Sequence, residues 1–227
     1  MSQIALLGSV FLPASVFRPL AEELSRRGHR VVIATPGDAT TPAEALDAYV
    51  AALTALDDAD GVVGVAHSNA GSYVPALVAR GCLDAAVFMD AVLPDPGGGA
   101  LPVVREDLRN ALRDMLIDGA LPRWTEWWAT DDVRALFPDE PTSEEVHRAA
   151  PRVPGSYLDG TVDVPAAWTT ELPGAFLAFG ETYAEERRTA AALGWPTRTL
   201  ELGHLGQLQD PGGVARALLE LIPLHSP

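Results

Sequence analysis

The sequence predicts an α/β protein: a mostly parallel six-stranded sheet flanked by helices, with a small helical cap inserted after the fourth strand. Two observations carry this. Short apolar runs of strand length alternate with segments of helical character up to residue 90, and again from residue 174. Such alternation implies parallel strands joined by right-handed crossovers, and hence a sheet covered on both faces. Residues 94–170 interrupt it, which divides the chain into a core of 1–93 plus 171–227 and an insertion of 94–170.

Taken in order, Gln3 to Gly8 read as a buried strand, and Ser9 to Ala14 as a loop. A helix follows with Ser15 as N-cap, Pro19 in its first turn and Gly28 as its stop. Arg30 to Thr35 is the second strand. Thr41-Pro42-Ala43-Glu44 is a capping box with Pro at the first helical position, opening a helix to about Asp58. Gly61 to Ala66 is an apolar third strand that runs through His67-Ser68-Asn69 into a helix ended by Gly81, in which Pro75 should produce a kink. Ala85 to Asp90 is the fourth strand. Within the insertion, a Pro- and Gly-rich exit at 94–99 leads to amphipathic pieces near 104–118, 121–129 and 142–150. Gly174 to Gly180 and Thr197 to Leu202 complete the strands. Helices over 184–193 and 211–221 cover them, the last opened by Asp210-Pro211.

Composition removes several functions. The net charge of −15 repels phosphate backbones and anionic membranes, so neither nucleic acid nor a membrane is an expected partner. No apolar run approaches the roughly 20 residues of a bilayer span, and no signal peptide is visible, so the expected location is the cytoplasm. Cys82 is the only cysteine, which excludes an internal disulfide and a thiolate zinc site. His and Cys never cluster and no glycine-rich phosphate loop follows the first strand, so neither a metal nor another cofactor is expected. All 16 basic residues are arginines. Without lysine, Schiff-base and Ser-Lys chemistry are impossible.

A strand that turns at once into a helix with a Ser on the corner is the pattern of a nucleophile elbow in α/β-hydrolases. The usual G-x-S-x-G stands here as Ala66-His67-Ser68-Asn69-Ala70. Small residues are needed two before and two after the Ser because strand and helix nearly touch, and alanine adds only a Cβ. A serine nucleophile needs a base, and that base an orienting acid. Of five histidines, His29 lies at the amino end of its strand, His67 points away from Ser68, His147 sits on a polar helix and His225 in the tail. His204 leaves the last strand at its carboxyl end, on the same rim as Ser68. For an oxyanion hole, the amide of Asn69 is one donor, and Val10 is the best-placed second donor in the loop after the first strand. Phe11, Trp124 and Trp128 are expected in the pocket wall. Trp124, Trp127 and Trp128 together form one helical stripe, a pattern more often made for packing.

The segment from Ala85 to Asp95 resembles the fourth-strand exit of plant hydroxynitrile lyases and their methyl-ester esterase relatives, within the α/β-hydrolase superfamily. Gly8-Ser9-Val10-Phe11 through Phe17-Arg18-Pro19-Leu20 is similar in spacing to that group's His-Gly-Ala-Trp…Trp-x-Pro-Leu segment. Leu202-Gly203-His204 through Leu208 resembles its Gly-x-His-x-x-x-Leu loop. The resemblance implies Ser68 as nucleophile, His204 as base, and Val10 and Asn69 as oxyanion donors. Two departures stand out. Gly8-Ser9 replaces the family's His-Gly, and Tyr183 occupies the position where the family's acid is expected. For the acid, Asp90 ranks first, because a carboxylate within Val87-Phe88-Met89-Asp90 is costly unless paired. Glu181 ranks second, and the absence of any acid third.

The resulting expectation is a serine hydrolase that cleaves a small to medium apolar ester, thioester or lactone through an acyl-enzyme on Ser68. The alternative is a non-hydrolytic lyase or cyclase using the same Ser/His pair, and a third class is a binding protein that kept the fold. The hydroxynitrile lyases rely on a pocket Lys that this chain lacks, which disfavours cyanohydrin cleavage. The expected partner is a small-molecule substrate, with homo-oligomerisation left open.

Overall fold

The computed structural model describes residues 3–56, 61–170 and 172–222. The expected helix end near Asp58 and His225 lie outside them. Among the described residues there are eight strands: β1 (Gln3–Leu7), β2 (Arg30–Ala34), β3 (Val62–Ser68), β4 (Ala85–Ala91), β5 (Gly99–Pro102), β6 (Thr161–Val164), β7 (Gly174–Phe179) and β8 (Thr197–Leu200). Six of them form one sheet in the order β2-β1-β3-β4-β7-β8, every pairing parallel. β3, β4 and β7 are buried along their whole length, as expected for central strands covered on both faces. The direction of strand addition reverses between β1 and β3. At such a switch point the loops leaving the carboxyl ends diverge and open a crevice.

The helices are α1 (Arg18–Arg26), α2 (Pro42–Thr54), α3 (Val74–Ala79), α4 (Glu106–Arg113), α5 (Thr130–Arg134), α6 (Glu140–Ala149), α7 (Ala184–Ala192), α8 (Gly206–Gln209) and α9 (Pro211–Leu221). α1 packs on α9, and α2 on α3. α1 buries Leu20 and Leu24, one turn apart, and Pro19 sits in its first turn where no amide is needed. Gly28 has φ +90°, the left-handed value that stops the helix. The Thr41 hydroxyl accepts from Glu44 N–H at 3.2 Å, and the Glu44 carboxylate accepts from Thr40 N–H at 2.8 Å, so the return half of the expected capping box closes one residue early.

Four local expectations need correction. Ser15 does not cap α1; it lies within a 3-10 turn over Ala14–Phe17 that precedes the helix. Pro75 produces no kink, because Asn69–Tyr73 is also a 3-10 turn and α3 starts only at Val74, which places the proline in the first turn. Trp124, Trp127 and Trp128 are not a helical stripe, since only the three residues Trp124–Glu126 are helical, in a single 3-10 turn. The insertion is not purely helical either: β5 and β6 pair antiparallel at its two ends, Gly99 opposite Val164 and Pro102 opposite Thr161.

Candidate active site

Ser68 ends β3 with φ 58° and ψ −131°, a backbone conformation strained for any residue with a Cβ. The sharp corner lifts the side chain off the strand while the chain turns into Asn69–Tyr73. Ala66 and Ala70 are both completely buried, as expected of the small flanking positions. The tightest approach falls one residue further on. A Cβ on Gly71 would lie 1.9 Å from the Val92 carbonyl oxygen, so the turn runs directly against the exit of β4. No general pattern in the sequence marks Gly71 apart from the other glycines.

Asp90 owes its position to a bulge. His67 pairs with Met89, but Ser68 pairs with Ala91, which leaves Asp90 as the extra residue of β4. Its φ of +45° turns the side chain out of the strand's alternation. The carboxylate is fully buried and doubly bonded: Oδ1 accepts from Phe179 N–H at 3.0 Å and Oδ2 from His204 Nδ1 at 2.6 Å. A buried carboxylate needs such partners. Glu181 makes no such contact. Its side chain is 75% exposed and pairs with Arg187 at 3.2 Å.

Because Asp90 accepts, His204 Nδ1 carries the proton, and Nε2 is left bare as an acceptor. His204 follows β8, in a loop tied by Gly203 N–H to Gln209 Oε1 at 2.8 Å. Three rings lie nearly parallel to its imidazole: His67 at 4.6 Å and 27°, Tyr183 at 5.8 Å and 30°, and Trp124 at 6.0 Å and 30°. Ser68 and His204 open into the same cavity, and among the described residues no hydrogen bond joins them. Such bonds commonly tighten only when substrate is bound. The Tyr183 phenol feels the Ser68 hydroxyl, which favours its ionised form, but burial outweighs this and raises its pKa well above the ordinary tyrosine value. Sequence reasoning gave Tyr183 only the negative role of replacing an acid.

Val10 and Asn69, expected to supply the oxyanion amides, meet through the Asn69 side chain. Val10 N–H donates to the Asn69 side-chain oxygen at 3.3 Å, and Ser9 Oγ donates to the same oxygen at 2.8 Å. The Asn69 amide nitrogen donates to the Tyr157 hydroxyl at 3.2 Å, and Tyr157 bonds in turn to the Tyr73 hydroxyl. The first loop, the elbow and the insertion therefore meet at the Asn69 side chain. Burial pushes the Tyr157 pKa up to about 12, so this cluster is neutral at physiological pH.

The cavity holds about 730 Å³, in the range of small-molecule sites. Phe11, Trp124, Trp127 and Trp128 give it an aromatic wall, and Val103, Val104 and Leu108 also line it. Phe11 meets Trp127 edge-on at 4.8 Å and Tyr157 at 5.7 Å. Arg105 is the one cation among the lining residues, against Asp107, Asp132 and Glu181. A second cavity of about 630 Å³ between Thr125 and Arg148 contains neither Ser68 nor His204. Among the described residues no cluster of three or more His, Cys, Asp or Glu could hold a metal, and no helix is long and apolar enough to cross a membrane.

This fold and site define an α/β-hydrolase. The model of the alpha/beta hydrolase family matches residues 8–217, and the chain belongs to that family. Its structural neighbours include polyneuridine aldehyde esterase, at 17% identity and a TM-score of 0.74, over 98% of this chain and 100% of that one. An extracellular alpha/beta-hydrolase from a Paenibacillus species is 17% identical with a TM-score of 0.73, over 97% and 99% of the two chains. Tomato methylketone synthase I is 13% identical with a TM-score of 0.73, over 96% of each. At these identities the likeness is one of fold. Among curated proteins there is no sequence match.

Proposed function

We propose that the protein is a serine hydrolase that cleaves a neutral, largely apolar carboxylic ester, thioester or lactone. One observation carries the reading: the buried Asp90 carboxylate fixes His204 in the tautomer a general base requires, on the same cavity as a serine held at a strained strand–helix corner. In this mechanism His204 Nε2 takes the Ser68 proton as Oγ attacks the acyl carbon, and Asp90 stabilises the resulting imidazolium. The negative charge moves to the carbonyl oxygen, where the amides of Asn69 and Val10 would receive it. A developing oxyanion is a stronger acceptor than the Asn69 side-chain oxygen that Val10 N–H meets at 3.3 Å, so charge favours the exchange. The proton then passes to the leaving alcohol or thiol, and water repeats the sequence on the acyl-enzyme. The aromatic wall supports an apolar acyl group, and the excess of acids over Arg105 disfavours an anionic one.

A non-hydrolytic lyase or cyclase is the second reading. It is favoured by the engaged Val10 amide and by the absence of a Ser68–His204 hydrogen bond among the described residues. One neighbour of this fold, tomato methylketone synthase I, was crystallised with 2-tridecanone. A fluorophosphonate probe with mass mapping tests the choice. Hydrolase chemistry requires labelling of Ser68 in the wild-type chain and none in His204→Ala. A folded wild-type protein left unlabelled refutes it.

A further inference from the structure

His67 has a ring of its own aimed at the candidate base. Its Nε2 lies 2.8 Å from the backbone carbonyl oxygen of His204, 137 residues away in sequence. A carbonyl can only accept, so Nε2 carries the hydrogen and donates it. The neutral imidazole then has a bare Nδ1, which is buried without a hydrogen-bond partner. A ring kept only for packing would not carry an unpaired nitrogen, because a phenyl or isobutyl group would fill the space without that penalty. The His67 and His204 rings stack at 4.6 Å and 27°, and the Phe17 ring meets that of His67 edge-on at 5.7 Å. His67 is fully buried, in the strand that also carries Ser68.

We infer that His67 is a positioning residue for His204, gripping its backbone carbonyl and one face of its imidazole so that the base is fixed relative to the strand bearing Ser68. Asp90 holds one edge of the imidazole. Nothing in that bond sets the height of the loop over the sheet, and the His67 contact does. Because β3 carries both residues, any shift of the strand carries nucleophile and base together. Burial first, and the nearby His204 second, hold the His67 pKa well below that of a free histidine, so the clamp stays neutral when His204 takes up a proton. The inference rests on the proposed Ser/His chemistry for its catalytic meaning, but the positioning itself can be read without turnover.

The test uses the full chain with His67→Gln, which keeps a donor, His67→Phe, which keeps a ring, and His67→Leu, which keeps neither. The first readout is the downfield proton resonance expected of His204 Nδ1–H in its short bond to Asp90, assigned by its loss in His204→Ala and Asp90→Asn. It should persist in His67→Gln and broaden or vanish in His67→Leu and His67→Phe, with all proteins melting cooperatively. The second is hydrolysis of p-nitrophenyl butyrate. A displacement of the base on the scale of 1 Å predicts roughly 10- to 100-fold lower kcat in the Leu and Phe variants with KM within about twofold, largely rescued in the Gln variant. An unchanged resonance and kcat in His67→Phe overturns the inference, as does a wild-type protein without the resonance. If wild type shows the resonance and its response to His67 but neither labels nor hydrolyses, the positioning stands and the hydrolase reading fails.

Discussion

Replacing Asp90 by Asn isolates the charge and the proton geometry of the candidate triad while changing almost nothing else. The side chain is fully buried, and its two oxygens have different partners: Oδ1 accepts from Phe179 N–H at 3.0 Å and Oδ2 from His204 Nδ1 at 2.6 Å. An asparagine must keep its single oxygen on the Phe179 amide, because the alternative sets two donors face to face there. Its NH2 group then faces His204 Nδ1, which becomes the acceptor, and the proton moves to Nε2. That is the wrong tautomer for accepting the serine proton, and the imidazolium also loses its counter-charge. Where the same change has been made in a Ser-His-Asp site with the geometry retained, kcat falls by about 10⁴, which corresponds to about 5 kcal/mol of transition-state stabilisation. The expectation for Asp90→Asn is therefore a loss of about 10⁴ in kcat on an activated ester, with a matching loss in fluorophosphonate labelling and a cooperative melt. Glu181→Gln breaks an exposed pair with Arg187 and should leave kcat within about twofold. Stopped-flow ester hydrolysis on the three proteins reads both. More than a tenth of wild-type activity in Asp90→Asn, or an equal loss in Glu181→Gln, would refute the reasoning.

Three further outcomes follow from the packing and the charges. Gly71→Ala places a Cβ 1.9 Å from the Val92 carbonyl oxygen, an overlap only backbone movement can relieve. A destabilisation of at least about 3 kcal/mol is expected in chemical denaturation, and a near wild-type midpoint would mean that the elbow yields. Trp128 is 46% exposed and contacts Trp124 at 4.9 Å in the cavity wall. Trp128→Ala should raise KM for a bulky apolar ester about fivefold, from roughly 1 kcal/mol of lost contact, with little change in kcat or melting temperature; a fall in kcat alone would put the ring elsewhere in the mechanism. His67 is buried with its pKa well below the free value, so below about pH 6.5 the unfolded chain binds a proton that the native state refuses. Native stability should fall as pH decreases below about 6.5, with a slope that approaches about 1.4 kcal/mol per unit from this group, and His67→Phe should remove that slope. The difference between the two proteins is the quantity to measure, because Glu186, whose pKa is raised by burial, acts with the opposite sign at the acid end of this window. Parallel denaturation profiles would show that His67 is not held neutral.

What the sequence made legible divides along physical lines. The core strands were readable because each is an apolar run buried on both faces, and the observed β3, β4 and β7 depart from the expected limits by at most two residues. Helix α9 coincides with its expected range because Asp210 caps it, with the side chain accepting from Gly213 N–H at 2.9 Å. Illegible were features decided by geometry between elements. Pro75 looked like a kink because nothing in the sequence indicates that the chain spends five residues in a 3-10 turn before becoming α-helical. β5 is four residues, mostly exposed and bounded by Gly99 and Pro102, so it carries no strand signal of its own, and β6 alternates exposed and buried over only four residues, Thr161–Val164. The tryptophans of 124–128 line the cavity, but their spacing suggested a helix that is not there.

The site follows the same division. Ser68 and His204 could be read because topology alone sends both to the carboxyl rim of the sheet. Asp90 could be ranked first because a carboxylate in an apolar run must find partners. Its aim was not readable, since it depends on a one-residue slip between β3 and β4 that no periodicity records. That slip goes with the turn of Asp90 toward His204, while Tyr183 stands where the family resemblance places an acid. An unbroken register after His67 and Met89 would set Asp90 opposite Ser68; the bulge sets Ala91 there and leaves Asp90 out of the pairing. Ser68 at φ 58° and Asp90 at φ 45° are two of the four non-glycine residues with positive φ among those described, and both lie at that one irregularity. Left-handed backbone costs of order 1–3 kcal/mol per residue and persists only where surrounding structure over-determines it. Here the central strands β3 and β4, buried on both faces, supply the constraint, and the Phe179 amide and His204 supply the bonds that hold Asp90 turned inward. Strain and polar burial are thus concentrated at one pair of neighbouring strands, where Ser68 and Asp90 are set by a single irregularity of the sheet rather than by two separate loops.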